Sequence, residues 1–285
     1  MRLAVNIAFL FSERPFLERV EAARDAGFAA IEFPWPAEPP DEVAAAVRNA
    51  GMGVALINVA AGDLAAGDRG HANDPAMRDR WRADFDAAMD LAQTVACPTL
   101  NVLAGNRLAG VTMVAQLDTL RANLDWALPR ASSAGRTLTL ELLNPIDTPR
   151  YLLTDPPRVR ALIEAVDDPA LRLQFDTYQF GRVVDDVTEA FRSLAPIVGH
   201  IQVGDIPDRH EPGSGLIDWP AFFGAVGEAG YDRAIGLEYV PAGGTLDGIG
   251  WVERYGLARA SPVTAARSAP SSPTLPGNTT RTRPG

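Results

Sequence analysis

The chain is expected to fold as an α/β protein, a (β/α)8 TIM barrel in one domain over residues 1–256. Three observations carry this expectation. A phrase repeats in which a helical pattern ends in Ala-Gly and a short apolar run follows, as at Ala26-Gly27, Ala50-Gly51, Ala134-Gly135 and Ala229-Gly230. Glycine just past a helix end takes the left-handed conformation and turns the chain into a strand. These units recur at roughly 25–45 residues and number eight, the count and length of a closed parallel barrel. Finally, the segment Leu10–Arg14 after the first apolar run has no glycine. A doubly wound open sheet would place its phosphate-binding loop there.

The elements follow in order. Strands are expected near residues 3–10, 29–35, 53–60, 99–104, 137–143, 171–177, 199–204 and 234–240. Each is a short run rich in Val, Ile and Leu, as buried parallel strands require. Helices fill the gaps at 15–26, 41–50, 75–95, 112–134, 156–166, 188–194 and 219–229. Several open on a proline, whose fixed φ suits the first helical turn. From Leu257 to Gly285 the chain turns to Pro, Ser, Thr and Arg without an acidic residue, and a disordered tail is expected.

Composition excludes much chemistry. All 26 basic residues are arginine, so Schiff-base catalysis and a lysine-bearing phosphate loop are absent. One cysteine, Cys97, permits neither an internal disulfide nor a thiolate zinc cluster. The histidines are His71, His200 and His210, too few for a multi-histidine metal cluster, whereas Asp and Glu number 36. A metal here would be held by oxygen. The net charge of −10 argues against nucleic-acid and anionic-membrane partners. With no signal-peptide pattern and no long apolar run, a cytoplasmic location is expected. Assembly into a homo-oligomer stays open.

In such a barrel, chemistry sits at the carboxyl ends of the strands. The polar residues there are Asn6, Glu32, Asn58, Asn101, Glu141, Asp176, Gln202 and Glu238. Glu141, Asp176, Gln202 and Glu238 come from the last four strands in turn. Three carboxylates and an amide converging on one face repel one another unless a cation lies between them, and a hard divalent ion, Mg2+ or Mn2+, suits oxygen donors. Asp176 alone could equally cap the helix that follows it. His200, two residues before Gln202, points the same way and lies deeper.

Longer phrases sharpen this. They are Asn58 through Gly70 after the third strand, Leu100–Gly105, Leu140–Asn144, Gln174–Tyr178, Gly199–Val203 continuing to Pro207–Gly215, and Gly236–Tyr239. In them the chain resembles the hydroxypyruvate isomerase family, within the xylose isomerase-like barrels, across most of residues 3–254. The resemblance implies that Glu141, Asp176, Gln202 and Glu238 line a divalent-metal site and that Glu141 and Glu238 are the acid/base pair. It implies interconversion of hydroxypyruvate and tartronate semialdehyde through an enediolate. One departure stands out: relatives carry a histidine that contacts substrate three residues after the strand-six aspartate, and here that position is Gln179.

A small anionic hydroxy-keto acid needs a cation to grip its carboxylate. Without lysine, arginine must do so. Arg209, seven residues past Gln202, is the first candidate and Arg69 the second. Asn101 and Gln179 complete the expected substrate contacts. The glycine-bearing loop Gly62–Gly70 could close over the site, and Phe9 and Trp35 could wall it. Three other readings share the barrel: a 2-oxo-tetronate isomerase or ketose 3-epimerase using the same site, a metal-dependent phosphodiesterase, and a binder of sugar acids without turnover.

Overall fold

The computed structural model describes residues 1–259. Of the expected tail, Leu257–Arg259 fall within this range and residues 260–285 lie outside the described residues. Eight parallel strands close into a barrel in sequence order: β1 (Arg2–Asn6), β2 (Ala30–Phe33), β3 (Gly53–Asn58), β4 (Thr99–Val102), β5 (Thr137–Glu141), β6 (Leu171–Asp176), β7 (Val198–Val203) and β8 (Ala234–Leu237). The major helices between them are α1 (Phe16–Asp25), α2 (Pro40–Ala50), α3 (Arg78–Thr94), α4 (Met113–Ser133), α5 (Pro156–Val166), α7 (Val187–Leu194) and α8 (Trp219–Glu228). Short helices α6 (Thr177–Gly181), α9 (Thr245–Gly248) and α10 (Trp251–Arg254) were not anticipated. They are single turns whose few residues show no readable period.

The expected glycine turns are present. Gly27, Gly51, Gly135 and Gly230 all take positive φ, between 65° and 89°. Helix entries are capped by side chains: Thr112, Asp155, Asp186 and Asp218 each accept a backbone N–H of the first turn. Outside the barrel, Phe175, Phe180, Phe191 and Phe222 pack together, with ring centroids 4.1 Å apart for Phe175 and Phe180. This cluster fixes the wall behind β6, next to the candidate carboxylates. No helix among the described residues is long and apolar enough to cross a membrane.

Register decides which side chains meet. On β6 and β7, Asp176 pairs with Gln202 and Gln174 with His200. On β5 and β6, Glu141 pairs with Gln174. On β1 and β2, Asn6 pairs with Glu32. Side chains two residues apart on a strand point the same way, so Gln174 and His200 form a layer directly beneath Asp176 and Gln202.

Candidate active site

The strand ends bring all four expected residues into one hydrogen-bonded cluster. Arg209 Nη2 donates to Asp176 Oδ2 at 3.2 Å and to Glu238 Oε1. Glu238 Oε2 also accepts from Asn6 Nδ2 at 2.9 Å. Glu141 Oε2 accepts from Asn101 Nδ2 at 2.9 Å and from Gln174 Nε2 at 3.1 Å. Gln174 Nε2 also donates to Gln202 Oε1 at 2.6 Å. Asp176 caps α6 through Oδ1, which accepts the Tyr178 N–H at 2.9 Å. Capping and site membership therefore coexist, each using one oxygen.

Glu32 is the hub beneath. Fully buried, it accepts from Gln202 Nε2 at 2.7 Å and from Asn6 Nδ2 at 3.2 Å, and its Oε2 lies 2.7 Å from His200 Nε2. His200 is thus a buried histidine satisfied by a carboxylate, one bond removed from Gln202. Sequence reasoning placed Glu32 and Asn6 at strand ends without giving them a role, and it missed Gln174 and Thr139. The period-2 rule identifies both: each stands two residues before a candidate carboxylate. The Thr139 hydroxyl lies 3.2 Å from both Asn101 Oδ1 and Gln174 Oε1.

Three carboxylates, those of the buried Glu141 and Asp176 and of the largely buried Glu238, surround the Arg209 guanidinium. Burial and then repulsion from Glu238 and Asp176 push the Glu141 carboxyl well above the usual carboxylate range. Burial pushes Glu238 up to about 8 against the pull of Arg209. Asp176 is raised by burial and restrained by Arg209. Burial works against the charge of Arg209, but Glu238, Asp176 and Glu141 hold it above its ordinary value.

Arg209 is held in place by its surroundings. Its guanidinium carbon lies 4.6 Å from the Phe9 ring centroid and 4.9 Å from that of Tyr178, a cation–π sandwich. Its Nε is buried with no hydrogen-bond partner among the described residues. Its backbone has φ 58° and is tied by Arg209 N to Asp205 O at 3.0 Å and by Val240 N to Arg209 O at 2.8 Å. The organiser of this loop, missed from sequence, is Asp205. Its Oδ1 accepts the backbone N–H groups of Ile206, Leu216 and Ile217, and its Oδ2 those of Gly213 and Gly215 and the Trp219 indole N–H, all at 2.8–3.1 Å.

The remaining expected substrate contacts have the following partners within the chain. Asn101 buttresses Glu141. Gln179 is buried beside the site, where its Oε1 accepts from Asn144 N at 2.8 Å and Asn144 Nδ2 at 2.7 Å. Arg69 donates to Leu64 O at 3.1 Å and Asp68 O at 2.6 Å, bracing the Gly62–Gly70 loop from within.

The donor set fits a hard divalent cation in kind: three carboxylates in excess of local positive charge, and Gln202 Oε1, which keeps a lone pair beyond its bond from Gln174. As placed, no three Asp, Glu, His or Cys side chains among the described residues form a ready metal cage. The Arg209 guanidinium bridges Asp176 and Glu238 instead.

The signature of the xylose isomerase-like TIM barrel family matches residues 20–255, and the chain belongs to that family. Within it the chain is an isomerase similar to two curated groups. A 2-oxo-tetronate isomerase of Pectobacterium atrosepticum is 34% identical over 255 residues, covering 89% of this chain and 97% of that protein. A Mus musculus protein provisionally named hydroxypyruvate isomerase is 34% identical over 272 residues, covering 93% and 98%. Among solved structures, one described as AP endonuclease, family 2, from Brucella melitensis superposes with a TM-score of 0.85 at 31% identity, covering 89% of this chain and 98% of that one. A D-psicose 3-epimerase of Clostridium cellulolyticum H10 has a TM-score of 0.70 at 18% identity over 86% and 88%, a likeness of fold alone.

Proposed function

We propose that the chain interconverts hydroxypyruvate and tartronate semialdehyde, with Glu141 and Glu238 as the proton-transferring pair. The observation that carries this reading is the single cluster in which two glutamates from different barrel walls flank an arginine-bridged aspartate. Burial raises both glutamates above the usual carboxylate range, and Glu238, pushed up to about 8, can take up a proton near neutral pH, as a general acid/base requires.

Arg209 receives the substrate carboxylate. Its guanidinium has N–H donors beyond those it gives Asp176 and Glu238, the buried Nε among them. One glutamate removes a proton from C3, giving an enediolate. The other delivers a proton to C2, while the hydroxyl proton passes from O3 to O2, leaving an aldehyde at C3 and an alcohol at C2. A divalent cation, Mg2+ or Mn2+, held by Glu141, Asp176, Gln202 and Glu238 would supply Lewis-acid stabilisation of the enediolate oxygens. Phe9 and Tyr178 hold the guanidinium between their rings.

A second reading, isomerisation of 2-oxo-tetronate, is supported by the Pectobacterium relative and uses the same residues on a substrate one carbon longer. The histidines argue for a small acid over a phosphodiester. His200 is engaged by Glu32, His210 Nδ1 lies 2.7 Å from Val240 O, and His71 stands 3.9 Å from Asp68, so none joins the carboxylate cluster as a ligand.

Proton NMR in D2O with hydroxypyruvate and with 2-oxo-tetronate tests both readings, with Mg2+ or Mn2+ added and a chelator as control. Deuterium entry at C3 with product formation, abolished in both Glu141→Gln and Glu238→Gln, is the expected result. Exchange that persists in both variants overturns the acid/base assignment. Exchange with 2-oxo-tetronate alone assigns the longer substrate.

A further inference from the structure

One large cavity of the molecule lies away from the candidate active site. It opens at the opposite end, where the strands begin, and encloses about 840 Å3, within the size range of small-molecule sites. Arg2, Arg233 and Arg259 line it, with Thr99, Thr137 and His200. No carboxylate among the described residues lines it, in a chain whose acidic residues outnumber its basic ones by 36 to 26.

Two of the three arginines there, Arg2 and Arg233, are oriented but not neutralised. Arg2 Nη2 donates to Asp232 O at 3.0 Å. Arg233 Nη1 donates to Thr137 Oγ1 at 3.1 Å and Gly199 O at 3.3 Å. Neither has a carboxylate partner among the described residues, and each retains several guanidinium N–H donors. Arg259 is paired with Glu253 at 2.6 Å and so adds less net charge. The rest of the wall is small and apolar, including Ala30, Gly53 and Ala234. A concave apolar wall focuses the field of two unpaired guanidinium groups, which is the arrangement that concentrates oxyanions.

We infer that this end of the barrel binds a small phosphate- or carboxylate-bearing anion, anchored by Arg2 and Arg233. The site is separate from the candidate active site and does not depend on the reaction assigned there.

Calorimetric titration of the full chain tests it, with inorganic phosphate and, separately, malonate, at constant ionic strength against chloride. The double variant Arg2→Gln/Arg233→Gln changes surface side chains at strand ends. Arg209→Gln serves as a control at the other mouth. Saturable binding of one equivalent is expected, weakened at least tenfold in the double variant and unchanged in Arg209→Gln. The anion that binds, phosphate or malonate, identifies the ligand class. Absence of saturable binding for both anions, binding that survives the double variant, or binding lost only in Arg209→Gln overturns the inference.

Discussion

Replacing Asp205 with Asn changes one oxygen for an amide and should cost more than any surface change in the molecule. The Asp205 carboxylate is 1% exposed and accepts six hydrogen bonds, three at each oxygen. Hydrogen bonds to a charged acceptor contribute about 1.5–3 kcal/mol each, and neutral ones about 0.5–1.5. In the variant, three donors keep a weaker, neutral acceptor and three face an NH2 group that cannot accept. Some of these loop N–H groups will rotate to water, so the sum is not additive. A loss of about 3–5 kcal/mol follows, the range seen when a buried polar network is broken. At a urea slope of about 3 kcal/mol/M, the midpoint should fall by roughly 1–2 M. Trp219→Phe, which removes a single donor, should cost about 1 kcal/mol. Because the Arg209 backbone hangs on Asp205, the Asn variant should also raise the KM for an anionic substrate more than it lowers kcat, whereas Trp219→Phe should leave that ratio near wild type. A midpoint shift below about 0.5 M would refute the view that this carboxylate organises the loop.

Other consequences of the packing can be measured directly. Gly236→Ala would drive a Cβ into the two Glu32 carboxylate oxygens, displacing the hub of the buried network; a fall of several degrees in Tm is expected by calorimetry, and a change under one degree would contradict it. Cys97 is buried and its thiol is pushed up to about 12, so almost none is thiolate at pH 8; it should resist DTNB in the folded protein and react only at the rate of unfolding. Glu238 has a folded value raised from 4.5 to about 8, so its contribution to stability is full below pH 4.5 and is lost as pH rises through about 8. Metal-free protein should therefore lose Tm across that window, and added Mn2+ should restore more at pH 8 than at pH 5. An equal Mn2+ effect at both values would count against cation binding by these carboxylates.

The fold was legible because its signals are local and repeated. An Ala-Gly stop followed by four to six apolar residues reports a helix end and a buried strand together, and each such glycine takes the left-handed conformation the pattern requires. The short helices α6, α9 and α10 were not legible, since one turn carries no period. Within the site, the same reading found the upper ring of carboxylates but not the layer that holds it. Glu141, Asp176 and Glu238 are visible because a charge at the end of an apolar run is costly without a purpose. Gln174 and Thr139 are neutral residues inside strands, and their roles depend on which neighbours the barrel register brings level with them.

Arg209 shows where sequence reasoning stops for a further reason. Its residue type and its place after β7 point to anion binding, yet in the folded chain the anions it meets are Asp176 and Glu238. An arginine so placed is at once a structural counter-ion and a ligand donor. Which role dominates depends on what enters the site, because the excess negative charge of the cluster can be relieved by a guanidinium, by protons or by a divalent cation. These three compete for the same oxygens. A cation bound there would release Arg209 toward the substrate carboxylate, which ties metal affinity to substrate affinity without any movement of the barrel. Arg209→Gln should therefore tighten Mn2+ binding to the substrate-free protein while weakening the substrate. If calorimetry shows both weakened together, the guanidinium is not the cation's competitor and the bridge to Asp176 and Glu238 is purely structural.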